Sequence, residues 1–162
     1  MDYSARMDYW LQTAIQRLLA DGFVIMNQNY FKVVAHRSRF EITKFGNSET
    51  FFIFADIDYL NIDMMRRFST DAFNFAMKSK TSPLPCGFFE SVWSYAVGIG
   101  RNVDDMTAQV IKTETPPKHW SAGEMRVAYD APRHQLYYFD QTPLWGAAYY
   151  AGFRKQIQKY LA

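Results

Sequence analysis

The chain predicts an α+β protein, a mixed, largely antiparallel sheet with helices packed on its faces. Helical apolar stripes lie at both ends and in the middle of the chain. Alternating or continuous apolar runs lie between them, and the strand runs follow one another through turns rather than alternating strictly with helices. With 162 residues the expectation is a single α+β domain over 1–162, large enough to bury a core without disulfides or metals.

The first helix covers residues 4–20. Tyr3, Met7, Trp10, Leu11, Ala14, Ile15, Leu18 and Leu19 recur three and four apart, and Asp21-Gly22 stops the run. Phe23 to Met26 is a short extended segment. From Tyr30 the period changes to two, with Phe31, Val33 and Ala35 alternating with Lys32, Val34 and His36. Phe40 to Phe45 also reads as extended, Gly46-Asn47-Ser48 as a turn signal, and Thr50 to Ala55 as a central strand covered on both faces. Together these form an antiparallel meander of three strands ending at Asp56-Ile57-Asp58.

Asn61 is placed to cap a second helix, whose apolar face holds Ile62, Met65, Phe68, Ala72, Phe75 and Ala76. Thr81 to Gly87 contains two prolines and a glycine and is a loop. Ser91 to Gly100 supplies a strand, and Asp104 to Lys112 a short helix capped by Asn102 or Asp104. Thr113 to Gly123 is a loop around Pro116-Pro117. Met125 to Tyr129 and Leu136 to Asp140 make a hairpin across residues 131–134. The last helix runs from Leu144 or Gly146 to Leu161. Trp145, Tyr149, Phe153, Ile157 and Tyr160 form its core-facing stripe, and Gly152 interrupts it.

Composition excludes several classes. Hydrophobic residues make up 49% and charged residues 21%, a globular balance, and the net charge of +2 gives no strong nucleic-acid signal. Cys86 is the only cysteine, which rules out an intrachain disulfide and cysteine-based zinc motifs. No apolar run approaches the ~20 residues of a membrane-spanning helix, and residues 1–6 lead into no signal-like segment. Gly98-Ile99-Gly100 lacks the third glycine of a dinucleotide fingerprint, and neither a phosphate loop nor a nucleophile-elbow serine occurs. The expectation is a soluble, cytoplasmic protein without a cofactor or a membrane partner.

A few residues carry candidate chemistry. Asp56 and Asp58, two apart on an extended segment, point the same way and suit a hard cation such as Mg²⁺, with Glu41 as a third ligand. The competing reading makes them acids at the entrance of the following helix. The order helix, three strands, helix, strand over the first 100 residues resembles the core of the PD-(D/E)XK nuclease superfamily. That resemblance implies an Asp on the second strand and Glu-x-Lys or Asp-x-Lys on the third, whereas no Lys stands two residues after Asp56 or Asp58. His119, in Pro116-Pro117-Lys118-His119-Trp120, is a candidate general base with Glu124 to orient its imidazole. In the alternative, Trp120 anchors the loop on the core and His119 faces solvent.

Aromatic residues reach 18% of the chain, and rings outside the core-facing stripes are candidate binding surface. Trp120 and Tyr138 are the ligand-binding candidates among them. The leading expectation is a non-catalytic binding or interaction protein that takes a protein partner, a second copy of itself or a small ligand. The alternative is a metal-dependent hydrolase or degenerate nuclease-like protein using Asp56 and Asp58.

Overall fold

A computed structural model describes residues 2–42, 46–87 and 89–162. The chain runs α1 (Tyr3–Ala20), β1 (Val24–Ile25), β2 (Val33–Glu41), β3 (Gly46–Leu60), α2 (Ile62–Ser79), β4 (Glu90–Val103) and α3 (Asp105–Thr113). It continues through β5 (Lys118–His119), β6 (Ala122–Asp130) and β7 (Gln135–Tyr138) to α4 (Ala147–Leu161). This is the expected α+β fold.

One mixed sheet holds all the described strands in the order β1-β2-β3-β4-β6, with β5 and β7 both pairing with β6. Four of its six pairings are antiparallel, and the parallel pairs β3–β4 and β4–β6 form its centre. Alternation along the strands sends Ala35, Phe52, Phe54, Tyr95, Val97 and Val127 to one face, where α1 and α4 cover them. Val34, Phe51, Ile53, Val92, Ala96 and Ala128 point to the other face, under α2 and α3. Phe51 to Phe54 are fully buried on both sides, as their continuous apolar run predicts. No described helix is long and apolar enough to cross a membrane.

Local signals place the helices well. The Asn61 side chain accepts a hydrogen bond from the Met64 N–H at 2.9 Å, and the Asp104 carboxylate accepts one from the Thr107 N–H at 2.7 Å. The 131–134 hairpin also forms, pairing Asp130 with Gln135 and Val127 with Tyr138.

The strand boundaries differ from expectation in ways that have physical causes. β2 runs unbroken to Glu41, so Phe40 to Phe45 is not a strand of its own, and residues 43–45 lie outside the described residues. Gly46-Asn47-Ser48 is not a turn but the start of β3, paired with Glu41, Phe40 and Arg39. Glycine is required at position 46 because a Cβ there would sit 2.8 Å from the Phe89 carbonyl oxygen. Parallel pairing with β4 carries β3 on to Leu60, so Asp56 and Asp58 lie inside the strand rather than at a helix entrance.

Trp145 is not part of the last helix. Gly146 takes a left-handed conformation, φ 91°, which turns the chain just before α4 and leaves Trp145 86% exposed. The buried stripe is instead Tyr150, Phe153, Ile157, Tyr160 and Leu161.

The C-terminal end of α4 is held at two polar contacts, one to the middle of α1 and one to the residue that follows it. The Trp10 indole stacks on Tyr129, centroids 3.8 Å apart, and its N–H donates to the Leu161 carbonyl at 2.9 Å. The Asp21 carboxylate accepts from Lys159 and Arg37, each at 2.8 Å, and from the Tyr160 hydroxyl. Lys159 first, then Tyr160 and Arg37, hold its carboxyl well below the usual carboxylate range. A depressed pKa stabilises the fold above the unfolded-state value and loses that contribution as pH falls through the folded-state value. Asp21→Ala is therefore expected to lose about 2 kcal/mol in urea denaturation near neutral pH, with the deficit shrinking below pH ~4. A deficit that does not change with pH would contradict this role for the carboxylate.

Candidate functional site

The face under α4 holds two adjoining cavities. α4 lies across the N-terminal ends of β3, β4 and β6, and it approaches β6 closely at one point, Gly123. A Cβ on Gly123 would stand 2.4 Å from the Tyr149 hydroxyl, 2.7 Å from Phe153 Cζ and 3.0 Å from Trp93 Cε3. With no side chain there, the three rings close over the strand as a ridge of near-perpendicular contacts. Trp93–Tyr149 and Trp93–Phe153 centroids are both 5.6 Å apart, at 67° and 80°, and Tyr149–Phe153 are 4.7 Å apart at 79°.

Cavities open on both sides of this ridge and share Trp93 and Tyr149 as a wall. The first, about 410 Å³, lies between the ridge, Tyr95, Ser48, Thr50 and Gln156, with Arg37 and Glu41 at its polar end. The second, about 290 Å³, is bounded by Lys118, His119, Trp145, Gly146 and Tyr150. Together they fall in the roughly 300–1,000 Å³ range of small-molecule sites. Gly152 lines the first cavity, and a Cβ there would meet nothing within 4 Å. A glycine inside an exposed helix costs about 1 kcal/mol relative to alanine, and here it leaves the α4 wall of the cavity low.

Gln156 Oε1 and the Tyr150 hydroxyl are buried without a hydrogen-bond partner, although each residue lines a cavity. Such an atom costs about 1–3 kcal/mol when left unpaired. The Trp93 indole is fixed by donating to the Ser48 hydroxyl at 2.9 Å. Burial and the neighbouring Tyr150 push Tyr149 up to about 12, and burial also raises Tyr150, so both phenols are donors at neutral pH.

His119 and Glu124 come together, with Nε2 and Oε1 3.5 Å apart. Glu124 is buried and accepts from the Ser69 hydroxyl at 3.1 Å, and the His119 ring stacks on Phe73 at 4.0 Å. The Trp120 anchor of the alternative arrangement does not hold: Trp120 is 78% exposed, carried outward by the tight turn at Ser121 (φ 51°), while His119 is exposed on one side and lays its ring on Phe73.

Tyr138 is half-buried against the α1/α4 layer, where its hydroxyl accepts from Gln158 at 3.2 Å, so it is not an outward ring. Asp56 pairs with Lys32, and Asp58 with Arg101 at 3.5 Å. Glu41 lies opposite Gly46, at the other end of β3 and roughly 33 Å along the strand from Asp56, so it cannot complete a ligand set with that pair. Among the described residues, no three His, Cys, Asp or Glu side chains group as a metal site. The observed order α1, β1, β2, β3, α2, β4 is the one that suggested the nuclease core. The β3 carboxylates Glu49, Asp56 and Asp58 are followed two residues later by Phe51, Asp58 and Leu60, and never by lysine.

The opposite face holds a buried carboxyl pair that local sequence does not reveal. Glu49 on β3 accepts from the Thr81 N–H at 2.7 Å, the Thr81 hydroxyl at 3.0 Å and the Ser82 N–H at 3.3 Å, with His36 Nε2 at 2.9 Å. Burial opposes its charge, but the Thr81 N–H, Glu90, His36 and the Ser82 N–H outweigh burial and hold it at about 2. Burial first, then the ionised Glu49, raises Glu90. The pair therefore ties the 80–87 loop to β3, with Glu49 the more acidic of the two carboxyls.

Comparison with protein families, with curated proteins and with solved structures finds no match for this chain.

A raised pKa on Glu90 stabilises the fold fully below the unfolded-state value, and that contribution is lost as pH rises through the folded-state value. Glu90→Gln, which mimics the protonated acid, should flatten the fall in thermal midpoint as pH rises above the ordinary carboxylate range. A variant that falls as steeply as wild type would show that the proton lies elsewhere.

Proposed function

We propose that this protein is a binding protein for a small ligand held in the cleft under α4. The observation that carries this reading is the pair of adjoining cavities, about 410 and 290 Å³, that share the aromatic wall of Trp93 and Tyr149. Gly152 supports the same reading, since it gives up helix stability where a side chain would raise the cavity wall.

The neutral fluorophore prodan tests the cleft directly. It should bind at one saturable site in wild type and lose that site in Gly152→Trp, whose indole fills the cavity mouth. Gly152→Ala should keep the site and gain up to about 1 kcal/mol of stability. Equal prodan binding by wild type and Gly152→Trp would contradict the cleft as the binding site.

A further inference from the structure

The β2 side of the sheet is only partly covered. β1 pairs with β2 at Val24–His36 and Ile25–Ala35, and the Met26 N–H donates to the Val34 carbonyl. Even-numbered residues of β2 therefore turn their N–H and C=O groups outward, while odd-numbered ones bond to β3. The register with β3 runs unbroken from Val33 to Glu41, which carries this alternation on to Ser38 and Phe40. Coverage by β1 ends at His36, and among the described residues no backbone hydrogen bond reaches the outer side of Ser38 or Phe40. A strand edge of this kind is a template for another strand.

The side chains along this edge are outward as well. Phe40 is 64% exposed, and Ile42, just past the strand, is 73% exposed. Arg39 is also exposed, 3.8 Å from an Asp21 carboxylate that Lys159, Tyr160 and Arg37 already engage. Charge decides which strand fits, and in which register. Two copies of β2 placed antiparallel about a two-fold axis at Phe40 set Phe40 against Phe40 and each Arg39 against the other copy's Glu41. Moving the axis to Arg39 or to Glu41 faces two arginines or two glutamates instead, which is repulsive. The edge is complementary to itself about Phe40.

We propose that two copies of this chain dimerise through β2, antiparallel about Phe40, and join their sheets into one. The Phe40 N–H and C=O exchange hydrogen bonds with those of the second copy. The two Phe40 rings meet on the face that carries Val34 and α2, and the Arg39–Glu41 pairs form on the face that carries Ala35 and α4. Arg37 and Glu41 line the polar end of the first cavity on that second face, so the dimer brings the other copy's Arg39 to the end of the cleft.

Sedimentation velocity of the full chain, from low to high micromolar concentration, should show a reversible dimer. Arg39→Glu and Glu41→Arg each turn two symmetry-related attractions into repulsions, and each should weaken the dimer about tenfold or more. The double variant Arg39→Glu/Glu41→Arg restores the charge match and should restore the dimer. Phe40→Lys, at an exposed position, should dissociate it with the circular dichroism spectrum unchanged. A wild type that stays monomeric throughout overturns the inference. So does a dimer that Arg39→Glu or Phe40→Lys leaves unweakened, since it must use another surface. A folded double variant that associates no better than the single variants overturns it too.

Discussion

The close approach of α4 to β6 at Gly123 controls the architecture of the α1/α4 side. Phe153, Tyr149 and Trp93 can meet only because that residue has no Cβ, and their contact fixes the height of the helix above the sheet. Close packing is a local condition, satisfied at the ridge and at the buried Ile157 and Tyr160 further along the helix. Either side of the ridge the sheet surface is finished by smaller residues, Ser48 and Thr50 toward β3 and Ser121 and Ala122 toward β6. The cleft is thus a consequence of how three large rings pack over a glycine. Asp21 holds the far end of the same helix by gathering Lys159, Tyr160 and Arg37.

The two faces of the sheet differ in how closely they are filled. Beneath α2 and the 80–87 loop, Glu49 is closed in and engaged by Thr81 and Ser82, while burial and the neighbouring Glu49 raise the Glu90 carboxyl. There the polar groups fix a Pro-containing loop to β3. Buried polar atoms without a partner occur on both faces, at Glu90, Ser94, Thr107 and Arg126 on the α2/α3 side and at Tyr150 and Gln156 under α4. What distinguishes the α4 side is therefore its open space rather than unpaired polar groups.

The helices and the central strand were legible because their signals are local. The caps at Asn61 and Asp104 need only three residues of context, and the run Phe51 to Phe54 shows its own burial. The proximity of His119 and Glu124 was also readable, since five residues and a tight turn separate them. What stayed hidden depends on contacts distant in sequence. Gly46 looks like a turn residue until Phe89 is placed against it, and Gly123 looks ordinary until Tyr149 and Phe153 arrive from the last helix. Trp145 has the correct helical spacing, yet the left-handed Gly146 cuts it off. Glu49 and Glu90 are 41 residues apart in the chain and become a pair only through the parallel register of β3 and β4. Gly152 was the one visible hint of the cleft, a glycine in a helix with no local reason to be there.

The tryptophan indole N–H resonances provide the most direct measurement, because the four rings sample different parts of the molecule. The Trp10 N–H is buried on the Leu161 carbonyl in the core, Trp93 stands on the ridge bonded to Ser48, and Trp145 borders the second cavity. Adding prodan should shift the Trp93 signal along one saturable curve while Trp10 stays in place. A Trp93 signal that does not move, or a shift shared equally by Trp10, would contradict a ligand seated across the α4 cleft.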